Sequence, residues 1–190
     1  VIQTAPCGPG ELADAIIGFV ARKAGIPQER VRALIERIVE EAGPDAIARL
    51  QARLGEPADR WGYYEREPLA RMVHYQLAPI VLQKPPSVAG AEHLDQVRGR
   101  ATIIVANHLS YSDANVIQYL LQQCGHGDVA DRLAVIAGPK IYSDLSRRFS
   151  SLCFGTIKTP QNEGVSSGEA AMNARDVARA ARQTLAAADA

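Results

Sequence analysis

An imidazole and a carboxylate five residues apart, His108 and Asp113, are the side chains in this 190-residue sequence whose types and spacing first suggest chemistry. A neutral imidazole can take a proton from a hydroxyl near pH 7. A carboxylate on its other nitrogen fixes the tautomer and stabilises the imidazolium that forms. The pair therefore suits activation of an alcohol. On one straight helix, five positions would set the two side chains about 140° apart around the axis, so they meet only if the chain between them bends. The sequence offers that bend: an apolar run at 101–106 reads as a strand, and a helical pattern begins near Ser112. His108 is then expected in the connecting loop and Asp113 in the first turn. Ligands of open α/β sheets bind at that place, outside the carboxyl ends of strands and beside helix N-termini.

Spacing alone does not single the pair out. His126 and Asp131 are separated by the same interval in a stretch that follows a helix, and Ser110-x-x-Asp113 also fits a capping box in which both residues only satisfy main-chain donors. Context distinguishes the first pair, because it alone follows an apolar strand pattern and has Asn107 before the histidine and Ser110 after it.

The elements that must position these residues fall into two groups. Residues 11–25 set Leu12, Ile16, Phe19 and Val20 on one helical face, and residues 27–42 do the same with Val31, Leu34, Ile35, Ile38 and Val39. Gly43 then Pro44 end that run and open a third, carrying Ile47, Leu50 and Leu54 up to Gly55. After a polar stretch around 57–60, a fourth helix is expected over 68–83 with Leu69, Met72, Val73, Leu77, Ile80 and Val81 inward and a kink at Pro79. Lys84-Pro85-Pro86 stops it. Beyond that point the pattern alternates: strand 101–106, helix 112–123 ended by Gly125, strand 133–137, helix 143–151, strand 154–158, and a long helix from Ser167 with a Ser166-x-x-Glu169 capping box. The expected fold is α/β: an N-terminal helical bundle over 1–84, then over 85–190 a mostly parallel sheet with flanking helices.

The stretch Thr102-Ile-Ile-Val-Ala-Asn-His-Leu-Ser-Tyr-Ser-Asp113 resembles the first signature block of the glycerolipid acyltransferase superfamily, N-H-x-S-x-x-D after a strand. Asn107, His108, Ser110 and Asp113 match its four defining positions. Ser87 to Leu94 is similar to the family's lead-in segment, and Gly138-Pro-Lys-Ile-Tyr142 through Phe154-Gly-Thr-Ile-Lys158 resembles its second block, except that Lys158-Thr159 stands where an arginine often follows. The resemblance implies transfer of an acyl group from acyl-CoA or acyl-carrier protein to glycerol 3-phosphate or lysophosphatidic acid. His108 would be the base and Asp113 its partner, with substrate contacts from Asn107 and Ser110. Lys140, Arg147, Arg148 and Lys158 would be candidate phosphate contacts. A third block of the Pro-Glu-Gly-Thr-Arg type does not occur in the sequence, and the expectation is a piece of a longer protein. Two other readings remain open: a thioester hydrolase using the same pair on water, and a non-catalytic module that binds a phosphorylated lipid or a partner protein.

Composition narrows the setting. Twenty-one acidic and twenty-one basic residues cancel, so no global field favours nucleic acid, and any phosphate attraction must be local. Cys7, Cys124 and Cys153 are odd in number and form no C-x-x-C pair, which argues against a disulfide framework and a zinc site. No metal or resident cofactor is expected. Cys124 and Cys153 read as inert core thiols, and His74 and His93 as structural or exposed. No apolar run nears the roughly 20 residues that cross a bilayer. The expected location is cytoplasmic, with peripheral contact to a lipid surface through the N-terminal helices as an option.

Overall fold

A computed structural model describes residues 9–56, 62–82, 87–160 and 166–188. Cys7, the polar stretch at 57–60 and the boundary expected at Lys84 lie outside the described residues, as does the side chain of Leu12. The chain sorts into two compact units interleaved in sequence. One comprises Val1–Ala58, Arg66–Pro85 and Ile141–Cys153; the other comprises Asp59–Glu65, Pro86–Lys140 and Phe154–Ala190. The division is therefore not a single cut near residue 84. The segment after Lys140 belongs with the N-terminal helices, and a short piece before Arg66 belongs with the sheet.

The first unit is helical. Helix α1 (Pro9–Ala24) and helix α2 (Gln28–Leu54) pack on each other and on α3 (Pro68–Val81). The apolar spacing is realised: Ile16, Ile17 and Val20 of α1, Val31, Ile35, Ile38, Leu50 and Leu54 of α2, and Leu69, Val73 and Leu77 of α3 are all buried. Met72, expected inward, is exposed. The break expected at Gly43 is present, since its φ of 76° is left-handed and Pro44 restarts the helix. Helix α6 (Leu145–Ser151) packs on α1, α2 and α3. Its Arg148 is buried and donates to the carbonyls of Tyr142, Leu54 and Glu56, tying α6 to the end of α2.

The second unit holds a three-stranded sheet in the order β1-β3-β2, from β1 (Gly62–Tyr64), β2 (Ala134–Ala137) and β3 (Gly155–Lys158). β2 and β3 are parallel, with Ala137 opposite Lys158, whereas β1 pairs antiparallel with β3. The chain is thus mixed helix and sheet with one parallel and one antiparallel pairing, not the mostly parallel sheet expected. Helix α7 (Ser167–Ala188) packs on β1 and β3, and its capping box forms: Ser166 N and Oγ donate to Glu169, whose own N donates back to Ser166 Oγ. Helix α4 (Asp113–Gln123) ends at Gly125, φ 85°, and packs on the short helix α5 (Gly127–Asp131).

The strand expected at 101–106 does not form. Residues 101–112 adopt no regular element, and Ile103 and Val105 are 88% and 89% exposed. β-branched composition gives a strand only when a neighbouring strand supplies the ladder, and these residues have no such neighbour. β1 went unpredicted because three residues are too few to show a period of two.

Candidate active site

The loop before α4 is organised around one carboxylate oxygen. Asp113, the first residue of α4, accepts with Oδ2 from Leu109 N at 2.7 Å and Ser110 N at 3.0 Å, and His108 Nδ1 lies 3.0 Å from the same atom. Ser110 reinforces the turn, its carbonyl accepting from Asp113 N and its Oγ from Ser112 N. The bend required to bring His108 to Asp113 is made by this turn and not by a strand end. The Ser110 N–H is the largest influence on the Asp113 carboxyl; burial, second in size, opposes it, and with Leu109 N–H and His108 added the carboxyl is held below the usual carboxylate range. Oδ2 of an ionised carboxylate can only accept, so Nδ1 of His108 carries the proton and Nε2 keeps its lone pair. The imidazole is 72% exposed, with Tyr111 edge-on at 6.0 Å between ring centroids. A base positioned by its neighbour and open to an incoming hydroxyl is what this geometry provides.

Compared with known proteins, the chain matches no family model, no curated protein and no solved structure. The site must be read from its own residues.

Its amides at 109, 110, 112 and 113 are each already bonded within the turn. Those four main-chain donors are therefore not open to a substrate oxygen. Asn107 is exposed beside His108 and makes no hydrogen bond among the described residues. Lys158 ends β3, 8% exposed, with its ammonium 3.8 Å from the centroid of the Tyr64 ring on β1. Lys140 is exposed in the turn Pro139–Ile141 that follows β2. Because β2 and β3 are parallel and Ala137 is level with Lys158, both lysines belong to the carboxyl edge of the sheet. Arg147 and Arg148 fall in the other unit. Arg148 is 8% exposed with its guanidinium committed to carbonyls, an anchoring role in place of a phosphate contact, and Arg147 N donates to Asp144, the cap of α6.

The rival pair is resolved by its surroundings. His126 is buried, and Arg98 Nη2 stands 3.2 Å from its Nδ1; a guanidinium only donates, so that nitrogen's lone pair is already used. Arg98 also donates to Gly125 O at 2.9 Å and pairs with Asp95 and Asp128. This tether joins residues 27 and 28 positions apart, so no local pattern announces it. The Tyr64–Lys158 contact was missed for the same reason. Cys153 is buried with Sγ near Ala70 O, Cys124 is half-buried, and no metal-binding group of His, Cys, Asp or Glu occurs among the described residues.

Proposed function

We propose that this protein transfers an acyl group from a thioester, acyl-CoA or acyl-carrier protein, to a hydroxyl of glycerol 3-phosphate or lysophosphatidic acid. The observation that carries the reading is the three-donor arrangement on Asp113 Oδ2, which leaves His108 Nε2 as the basic nitrogen. The resemblance of residues 102–113 to the family's first block adds the substrate class. Nε2 takes the hydroxyl proton as the oxygen attacks the thioester carbonyl; the tetrahedral intermediate collapses with loss of the thiolate, which recovers that proton from the imidazolium. The ionised Asp113 stabilises the transient cation. No acyl-enzyme and no metal is needed for the proton balance. Lys140 and Lys158, at the carboxyl edge of β2 and β3, are the candidate contacts for the acceptor or donor phosphate. The reading places the protein in the cytoplasm with peripheral contact to a lipid surface. No helix among the described residues is long and apolar enough to cross a membrane.

The exposure of His108 favours one second reading, a thioester hydrolase, since water reaches the imidazole as easily as an alcohol. Measuring thiol release from a long-chain acyl-CoA with and without glycerol 3-phosphate or lysophosphatidic acid separates the two. Acyl transfer requires release that depends on an acceptor and yields an acylated product. Acceptor-independent release with free fatty acid as the product would establish the hydrolase.

A further inference from the structure

We propose that Arg98 and His126 form an acid-released latch: the neutral imidazole holds the guanidinium, and protonation turns the ring to Asp95 and frees the end of the short helix Ala91–Val97 from the carboxyl end of α4. Only a neutral ring can make the contact that the structure shows. Nδ1 of His126 stands 3.2 Å from Arg98 Nη2, and because a guanidinium has only N–H groups to offer, Nδ1 must present its lone pair. Both hydrogens of Nη2 are then in use, one on His126 and one on Gly125 O at 2.9 Å, with Asp128 Oδ1 3.6 Å from the same nitrogen. A proton on Nδ1 sets an imidazolium against the guanidinium where His126 is 5% exposed and water screens little. Nη2 cannot draw back from the ring without leaving Gly125 O, because one atom makes both bonds.

An acceptor for the new proton is already in place. Asp95 Oδ1 lies 3.9 Å from His126 Nδ1 and 3.5 Å from Arg98 Nε, so one carboxylate can serve the guanidinium in the neutral state and the imidazolium in the charged one. The other charges facing the cluster come from α5 and its end, where Asp128 pairs with Arg132 at 3.8 Å; α4 carries no acidic or basic side chain after Asp113. Carboxylates ordinarily titrate at about 4 and imidazoles at about 6.5. Between about pH 8 and about pH 5 the change of charge therefore falls to the imidazole, and its direction opens the latch as pH falls.

Arg98 is also the last long-range anchor before the loop that carries His108. Residues 101–107 make one hydrogen bond among the described residues, Thr102 Oγ1 to Arg100 O, and the next fixed point is the turn around Asp113. Opening the latch frees the entry of that loop and leaves the turn intact. The consequence for acyl transfer rests on the function proposed above; the latch itself does not.

NMR on the full chain without ligand, followed from about pH 8 to about pH 5, tests the latch. At the upper end His126 should be the Nε2–H tautomer with an Overhauser contact to the Arg98 side chain. As the ring takes up its proton, that contact should disappear and exchange of the Arg98 side-chain N–H protons should rise at least tenfold after correction for intrinsic rates. His126→Gln supplies an amide oxygen that accepts from Arg98 at every pH, so its corrected exchange should stay level across the interval. In Arg98→Met, which removes the opposing cation and leaves Asp95, His126 should take up its proton at a higher pH than in the unaltered chain. An Nδ1–H tautomer at the upper end, level exchange in the unaltered chain, the same rise in His126→Gln, or no upward move of the His126 titration in Arg98→Met would each overturn the proposal. None of these readouts depends on turnover, so a protein that transfers no acyl group would lose the catalytic reading and keep the latch.

Discussion

At the scale of single residues, Asp113 does two things with one oxygen, shaping the loop through two amides and setting the tautomer of His108. Asp113→Asn separates them, because an amide oxygen still accepts from Leu109 and Ser110 but carries no charge for the imidazolium. The expected outcome is a fall in kcat of about a hundredfold or more with little change in KM. The pH behaviour follows from the direction of the shift. The folded-state pKa of Asp113 is depressed, so its contribution to loop order is fully present above the ordinary carboxylate value of about 3.9. That contribution is lost only as pH falls through the lower folded value. Protection of the Leu109 and Ser110 amides, read by exchange after correction for intrinsic rates, should hold from pH 7 to pH 5 and fail only below about pH 4. Loss of protection already between pH 7 and pH 5 would contradict that role for Asp113. The pairing of His108 with Asp113 was legible in the sequence because a five-residue interval is closed by local chain geometry. The commitment of His126 to Arg98 was not, because a contact across 28 positions depends on how the short 3-10 helix Ala91–Val97 and the end of α4 come together.

At the scale of elements, amphipathic periodicity and stop signals carried the helices: the break at Gly43, the end at Gly125 and the reciprocal Ser166–Glu169 cap all stand where composition puts them. The same logic gave too much weight to 101–106, since an apolar run states what a segment prefers and not which strand lies beside it. It also read Arg148 as a phosphate contact, because nothing local reveals that Tyr142, Leu54 and Glu56 present carbonyls to it. Arg148→Ala leaves buried acceptors unsatisfied and should lower unfolding stability by about 3 kcal/mol, seen as a drop in the urea midpoint. Arg148→Lys should recover little of this, as an ammonium cannot reproduce the fork. At a temperature where both variants are folded, the KM for glycerol 3-phosphate should be unchanged. A selective rise in that KM would return Arg148 to the substrate.

At the scale of the whole molecule, the change from helical to alternating pattern was visible in the sequence, whereas the interleaving was not. Each unit draws on three separate segments of chain, and the helical one includes α6 from residues after Lys140. A fragment ending at residue 84 lacks the Arg148 anchor at the end of α2, and a fragment beginning at 85 lacks β1, the antiparallel partner of β3. Neither fragment should show the cooperative urea transition of the full chain. A fragment 1–84 that unfolds with an undiminished midpoint would contradict the division.

The central claim is that His108 is the base of an acyl transfer. It is tested most directly by His108→Ala in the full chain, assayed for acylated glycerol 3-phosphate and lysophosphatidic acid with a long-chain acyl-CoA. The side chain is exposed and outside the buried core, so circular dichroism and the urea midpoint should match the unaltered protein. Acyl transfer should fall by at least about a hundredfold. Turnover within a few-fold of the unaltered protein would contradict the assignment.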